Sequence, residues 1–161
     1  FHLINWITQR PILYFRSFHH RDGPMIFRRI VAKAARRFGI IEGLVHPIQR
    51  ASDLHEGLAL TEQAHFSATR DVDWQSWVTG KLRSASVVII DGTSDTTSLT
   101  WEITESIKTL GTARVAVLAP QGKNLPLPAE VFRLNYGFDR ASLASAKREL
   151  KRWLRLQLLP R

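Results

Sequence analysis

One run of residues, Ser86-Val87-Val88-Ile89-Ile90-Asp91, constrains the fold of this chain more than any other segment. Four consecutive β-branched residues favour an extended backbone. A strand without polar alternation is buried on both faces, as happens in parallel sheets that are covered by helices on both sides. The run therefore predicts the central strand of an α/β domain.

Strand-like and helix-like segments alternate along the rest of the chain. Four further strands are predicted, at residues 12–15, 40–45, 114–120 and 131–136. Helices are predicted at residues 25–38, 71–85 and 99–110 and over the C-terminal segment after residue 140, whereas residues 46–70 have no clear period and are interpreted as a loop. This alternation predicts a single doubly wound, flavodoxin-like, five-stranded parallel sheet flanked by helices, with right-handed crossovers.

The composition fits one cytoplasmic domain. The 161 residues are 44% hydrophobic, enough for one core, and the absence of Cys excludes disulfides, thiolate catalysis and Cys-based metal sites. No apolar run reaches the roughly 18 residues of a spanning helix. Residues 1–10 are interpreted as a lead-in and residues 11–161 as the domain. Because the chain begins at Phe1, a preceding segment that tethers the full-length protein to a membrane stays an open alternative.

The net charge of +9 is concentrated at the two ends of the chain. Residues 1–40 contribute +7 and residues 140–161 contribute +6, so the middle is mildly acidic. In a flavodoxin-like winding the first and last helices share one side of the sheet. We therefore expect one basic face suited to an anionic membrane surface; nucleic acid is the weaker alternative, because no helix-turn-helix or interleaved aromatic pattern is present.

The candidate site follows from the rule that parallel sheets bind ligands at the carboxyl ends of their strands. The segments 16–22, 91–98 and 120–123 should meet there. Two carboxylates compete on the helix that follows the central strand. At 100° per residue, Glu102 lies at the border of the buried stripe and Glu105 points away from it, so Glu102 is better placed to face the crevice.

Several segments resemble the Toll/interleukin-1 receptor (TIR) domain family, and in particular a group of bacterial TIR-like domains. They comprise the acidic-Trp helix start at 73–77, the apolar strand at 86–90, and the Ser-led loop that ends in Trp101-Glu102. Residues 12–22 resemble the first strand and loop of that family, and residues 11–18 together with 99–103 resemble the bacterial group in particular. Asp91-Gly92 and the run 100–103 also resemble nucleoside deoxyribosyltransferases. The resemblance covers about residues 10–120.

The resemblance implies an enzyme that hydrolyses the nicotinamide-ribosyl bond of NAD, without a metal, on self-assembly into a homo-oligomer in bacterial signalling or antiphage defence. The TIR spacing carries the catalytic role to Glu105, and the deoxyribosyltransferase template carries it to Glu102, so both stay open. Either carboxylate would stabilise positive charge at the anomeric carbon.

The resemblance also implies the residues that would hold NAD. Asp91 and Ser94 would bind ribose hydroxyls, and Trp101 or Phe18 would stack on a ring. Arg16, in the segment Arg16-Ser17-Phe18, or the pair His19-His20 would reach the diphosphate. The alternatives are a non-catalytic TIR-like module that assembles or senses a nucleotide, and a basic nucleic-acid-binding domain.

Overall fold

A six-stranded parallel sheet forms the centre of the protein. The structure is a computed structural model that describes residues 10–15, 21–45, 64–68, 74–94 and 97–159. Its strands are β1 (Ile12–Phe15), β2 (Ile41–Val45), β3 (Ala64–Ala68), β4 (Val87–Asp91), β5 (Val115–Pro120) and β6 (Phe132–Tyr136). The strand order is β3-β2-β1-β4-β5-β6, and every neighbouring pair is parallel.

Helices connect these strands. Helix α1 combines an α-helical turn at Gly23–Ile26, a π-helical turn at Phe27–Val31 and a second α-helical turn at Ala32–Ala35. The others are α2 (Trp74–Leu82), α3 (Thr97–Leu110) and α4 (Arg140–Leu158), with a short 3₁₀ turn at Thr112–Arg114. Within the described ranges, no helix is both long enough and apolar enough to cross a bilayer.

The predicted doubly wound fold is confirmed. The five predicted strands occur in the order expected of a flavodoxin-like sheet, with the central strand β4 buried along its whole length. One further strand, β3, extends the sheet beyond β2, from within the stretch interpreted as a loop. Its sequence, AHFSA, lacks the β-branched run that identifies β4, and its observed partner is the backbone ladder of β2.

Two hydrophobic layers cover the sheet. On one face, α1 and α4 pack against side chains such as Ile12, Ile89 and Leu134. On the other face, α2 and α3 pack against the intervening positions, for example Leu13 and Ile90. Side chains alternate across a strand, so each strand supplies both layers. The prediction that the first and last helices share a side, away from the helix that carries Glu102, is confirmed.

The chain reverses its winding direction at β1. From β1 it moves outward to β2 and β3, then returns to place β4 on the other side of β1. In open parallel sheets, ligands bind above the carboxyl ends of the strands at which the winding reverses, which here are β1 and β4. Because β4 ends at Asp91, this residue lies at the edge where a ligand site is expected.

Candidate functional site

Asp91 is a buried carboxylate held in a tight turn at the end of β4. Only 3% of the residue is exposed, and its Oδ1 accepts a 3.0 Å hydrogen bond from the Thr93 backbone N–H. The Thr93 hydroxyl donates to the same oxygen. Between them, the Gly92 N–H donates to the Leu118 carbonyl at 2.7 Å, so the turn is fixed to β5. This arrangement orients the Asp91 carboxylate before any ligand arrives.

Tyr136 joins the same network from the end of β6. Its hydroxyl lies 2.6 Å from the Thr93 hydroxyl oxygen. Since the Thr93 proton goes to Asp91, Tyr136 is the donor in this second bond. Burial raises the pKa of Tyr136 above its ordinary range. The hydrogen bond with Thr93 opposes this shift, and the charges of Asp91 and Asp22 add to it. The phenol therefore stays protonated and completes a Tyr136–Thr93–Asp91 chain of hydrogen bonds.

Lys123 brings the loop after β5 to the same place. Its Nζ donates a 2.8 Å hydrogen bond to the Thr93 carbonyl oxygen. The carboxyl ends of β4, β5 and β6 are thus tied together through one threonine. A small cavity of about 80 Å³ lies beside Lys123, lined also by Asn124 and Asn135.

Glu102 lies on the second turn of α3, the helix that covers the opposite face of the sheet from Tyr136. It is partly buried, next to a stripe in which Leu99 and Ser106 are buried. Burial, reinforced by the Asp91 charge, raises the pKa of Glu102 from 4.5 to about 8. At neutral pH Glu102 is therefore largely protonated in the ligand-free protein. An approaching positive charge would oppose both causes and favour the ionised form of Glu102.

Some of the other predicted site residues lie in the part of the chain that the structure describes, and the rest lie outside it. Glu105 is partly buried on α3, and Ser94 is partly buried in the loop after β4. The Trp101 ring packs edge-to-face on Trp74, with centroids 4.9 Å apart and planes at 79°, so it also joins α3 to α2. The segment Arg16-Ser17-Phe18 and the pair His19-His20 lie outside the described residues.

Sequence reasoning did not single out Thr93 or Tyr136, and it named Lys123 only as the end of a loop. Tyr136 is 43 positions away from Thr93 along the chain. The one available signal was a tyrosine at the carboxyl end of a predicted parallel strand, where polar tips point toward the ligand edge. Sequence alone does not show that its hydroxyl turns toward the β4 loop.

Two further observations concern possible ligand sites. In the ranges that the structure describes, no three His, Asp or Glu residues are grouped closely enough to hold a metal ion. A larger groove of about 460 Å³, lined by residues such as Phe132, Trp153 and Gln157, lies near the start of β6, at the opposite end of that strand from Tyr136. The larger groove is therefore separate from the region of Asp91 and Glu102.

No protein-family model matches the sequence, and no curated protein matches it significantly. The function is therefore inferred from the geometry at the carboxyl edge of the sheet, where Asp91 is held in a fixed orientation and influences the pKa of Glu102.

Proposed function

We propose that this domain hydrolyses the bond between nicotinamide and ribose in NAD or a related nucleotide, with Glu102 facing the anomeric carbon. The observation that carries the proposal is the buried, oriented Asp91 side chain at the carboxyl edge of the sheet, with Glu102 on the second turn of α3 within electrostatic range of it. Parallel α/β sheets bind ligands at this edge, and carboxyl groups suit chemistry that passes through a cationic sugar.

The reaction needs negative charge near the anomeric carbon. The C1–N bond breaks with its electron pair going to the pyridinium nitrogen, so nicotinamide leaves as a neutral molecule and an oxocarbenium-like ribosyl cation develops. Glu102 in its ionised form would stabilise that cation. Water then adds its oxygen to C1 and releases one proton, which gives ADP-ribose from NAD.

The roles of the neighbouring residues follow from their chemistry. Asp91, held by Thr93, would accept hydrogen bonds from ribose hydroxyls, and Ser94 in the same loop would supply a further hydroxyl. The cationic nicotinamide ring would oppose the effect of burial on the pKa of Glu102, so substrate binding itself would promote ionisation of this group. The substrate charge and the buried carboxyl are thus complementary.

Nicotinamide release tests this proposal directly. The full chain, at high protein concentration and with a crowding agent to promote assembly, is incubated with NAD, and nicotinamide is quantified by HPLC. We expect release by the wild type, a loss of about 100-fold or more in Glu102→Gln, and little change in Glu105→Gln. We also expect kcat/KM of the wild type to rise with pH toward about 8, because the ionised form of Glu102 in the free protein becomes more abundant.

The outcomes separate catalysis from its alternatives. Absence of nicotinamide at every protein concentration, or a rate in both Glu102→Gln and Glu105→Gln equal to that of the wild type, would reject the catalytic proposal. Saturable binding of NAD, measured by calorimetry on a wild type that releases no nicotinamide, would instead identify a nucleotide-sensing module. If the loss appears in Glu105→Gln alone, the catalytic carboxylate is Glu105.

A further inference from the structure

Helices α1 and α4 present an unusually basic surface. The segments 23–37 and 140–158 together contain eleven Lys and Arg residues and one acidic residue, Glu149. Both helices contact each other on the same face of the sheet, so their outward sides look in one direction. The exposed basic residues are Arg28, Arg29, Lys33, Arg36, Arg37, Arg140, Arg148, Arg152 and Arg155.

Two exposed leucines accompany these charges at the end of α4. Leu156 is 67% exposed and Leu159, which follows the last helical residue, is 51% exposed. Arg152, Arg155 and Leu156 are spaced by three and four residues, so they lie on one side of the helix. Large apolar side chains set among cations are typical of surfaces that bind the boundary between lipid headgroups and acyl chains.

The end of α4 lies at the amino edge of the sheet, away from the candidate site. Trp153 stacks on Phe132 at the start of β6, with ring centroids 5.5 Å apart and planes at 12°. Helix α1 connects two parallel strands and must run back to the same edge, which brings Arg36 and Arg37 there. Asp91 lies at the other edge.

We propose that this end of the molecule binds the surface of an anionic phospholipid bilayer. The docking end is defined by Arg36, Arg37, Arg152, Arg155, Leu156 and Leu159. The arginines pair with lipid phosphates and carboxylates, and the leucines enter the acyl boundary. Nucleic acid would satisfy the arginines and leave the leucines in water. Docking by this end turns the Asp91 edge away from the bilayer, where it stays accessible to a water-soluble nucleotide.

Co-sedimentation with vesicles tests this proposal on the full chain. We expect binding to phosphatidylcholine vesicles that contain about 30% phosphatidylserine, little binding to pure phosphatidylcholine, and weaker binding when NaCl is raised from about 0.1 to 0.5 M. Arg152→Gln/Arg155→Gln should weaken binding about 25-fold, from roughly fivefold for each charge. Leu156→Ser/Leu159→Ser should weaken it about tenfold or more without changing the salt dependence.

A matched double variant controls for net charge. Arg83 directly follows α2 and Lys108 lies on α3, so both exposed cations belong to the helices on the face opposite α1 and α4. The variant Arg83→Gln/Lys108→Gln should bind vesicles within about twofold of the wild type. Circular dichroism verifies that each variant is folded. Three results would each overturn the proposal. The first is an equal loss of binding in both charge variants, and the second is absence of binding to the anionic vesicles. The third is tighter binding to a DNA duplex of about 20 base pairs, unchanged in the leucine variant.

Discussion

At the scale of single residues, the Glu102 carboxyl links the site to the stability of the fold. Its pKa of about 8 in the folded protein lies above its value of 4.5 in an unfolded chain. Between these two pH values the folded protein holds a proton that the unfolded chain has released. The free energy of unfolding therefore falls as pH rises across this window, by up to about 1.4 kcal/mol per pH unit from this group alone.

Replacing Glu102 by Gln removes that pH dependence. We expect Glu102→Gln to gain stability relative to the wild type between about pH 5 and 8, with the difference levelling off above pH 8. Urea unfolding at a series of pH values measures the difference. Glu105→Gln removes a carboxylate from the same helix and should keep the pH slope of the wild type. A Glu102→Gln difference that is constant from pH 5 to 8 would contradict the argument.

The hydrogen bonds of Thr93 lead to a second residue-scale prediction. Thr93→Val deprives both the buried Tyr136 hydroxyl and Asp91 Oδ1 of the threonine hydroxyl, so it should cost about 2–3 kcal/mol of unfolding free energy. Tyr136→Phe removes one donor and should cost about 1 kcal/mol. Denaturant unfolding of both variants and of the double variant measures the coupling. Additive losses would show that the two hydroxyls do not interact.

At the scale of elements, the turn that follows β4 and packs against β5 is limited by space. A Cβ on Gly92 would lie 2.7 Å from Leu125 Cδ1 and 3.0 Å from the Leu118 carbonyl oxygen, so Gly92→Ala should destabilise the protein by about 1–3 kcal/mol. Gly80 in α2 has nothing within 4 Å of such a Cβ, and Gly80→Ala should stabilise by about 0.5–1 kcal/mol. Thermal and denaturant unfolding compare the pair; equal effects would refute the steric argument.

The elements also show how far sequence reasoning extends. Strands such as β4 and β5 are identified by continuous apolar runs, and α3 by its helical period, because burial on both faces or on one stripe leaves a local pattern. Strand β3 leaves none, because its sequence AHFSA contains no run of β-branched residues. The residues of the candidate site differ in the same respect, since only some of them can be identified from a local pattern. Asp91 and Glu102 follow from their positions in the chain, whereas Tyr136 enters through a long-range contact.

At the scale of the whole molecule, the sheet has a rigid centre and two edges. Strands β1 and β4 have neighbours on both sides and are buried along their full length, whereas β6 and β3 are the outer strands. Amides in β1 and β4 should exchange with deuterium only through global unfolding, and those of β6 more rapidly through local opening. Hydrogen-exchange mass spectrometry, compared with the free energy of denaturant unfolding, measures this. Slower exchange in β6 than in β4 would contradict the expectation.

The π-helical turn of α1 has a consequence for the lengths of related chains. A π turn closes its hydrogen bonds five residues apart instead of four, so Phe27–Val31 accommodates one residue more than a regular helix would need. Deleting one residue there would restore a uniform helix and leave Lys33, Arg36 and Arg37 on the same side of the helix relative to the core. Homologues that differ by a single gap within 27–31 should therefore keep the same core and the same placement of the cations that follow the π turn.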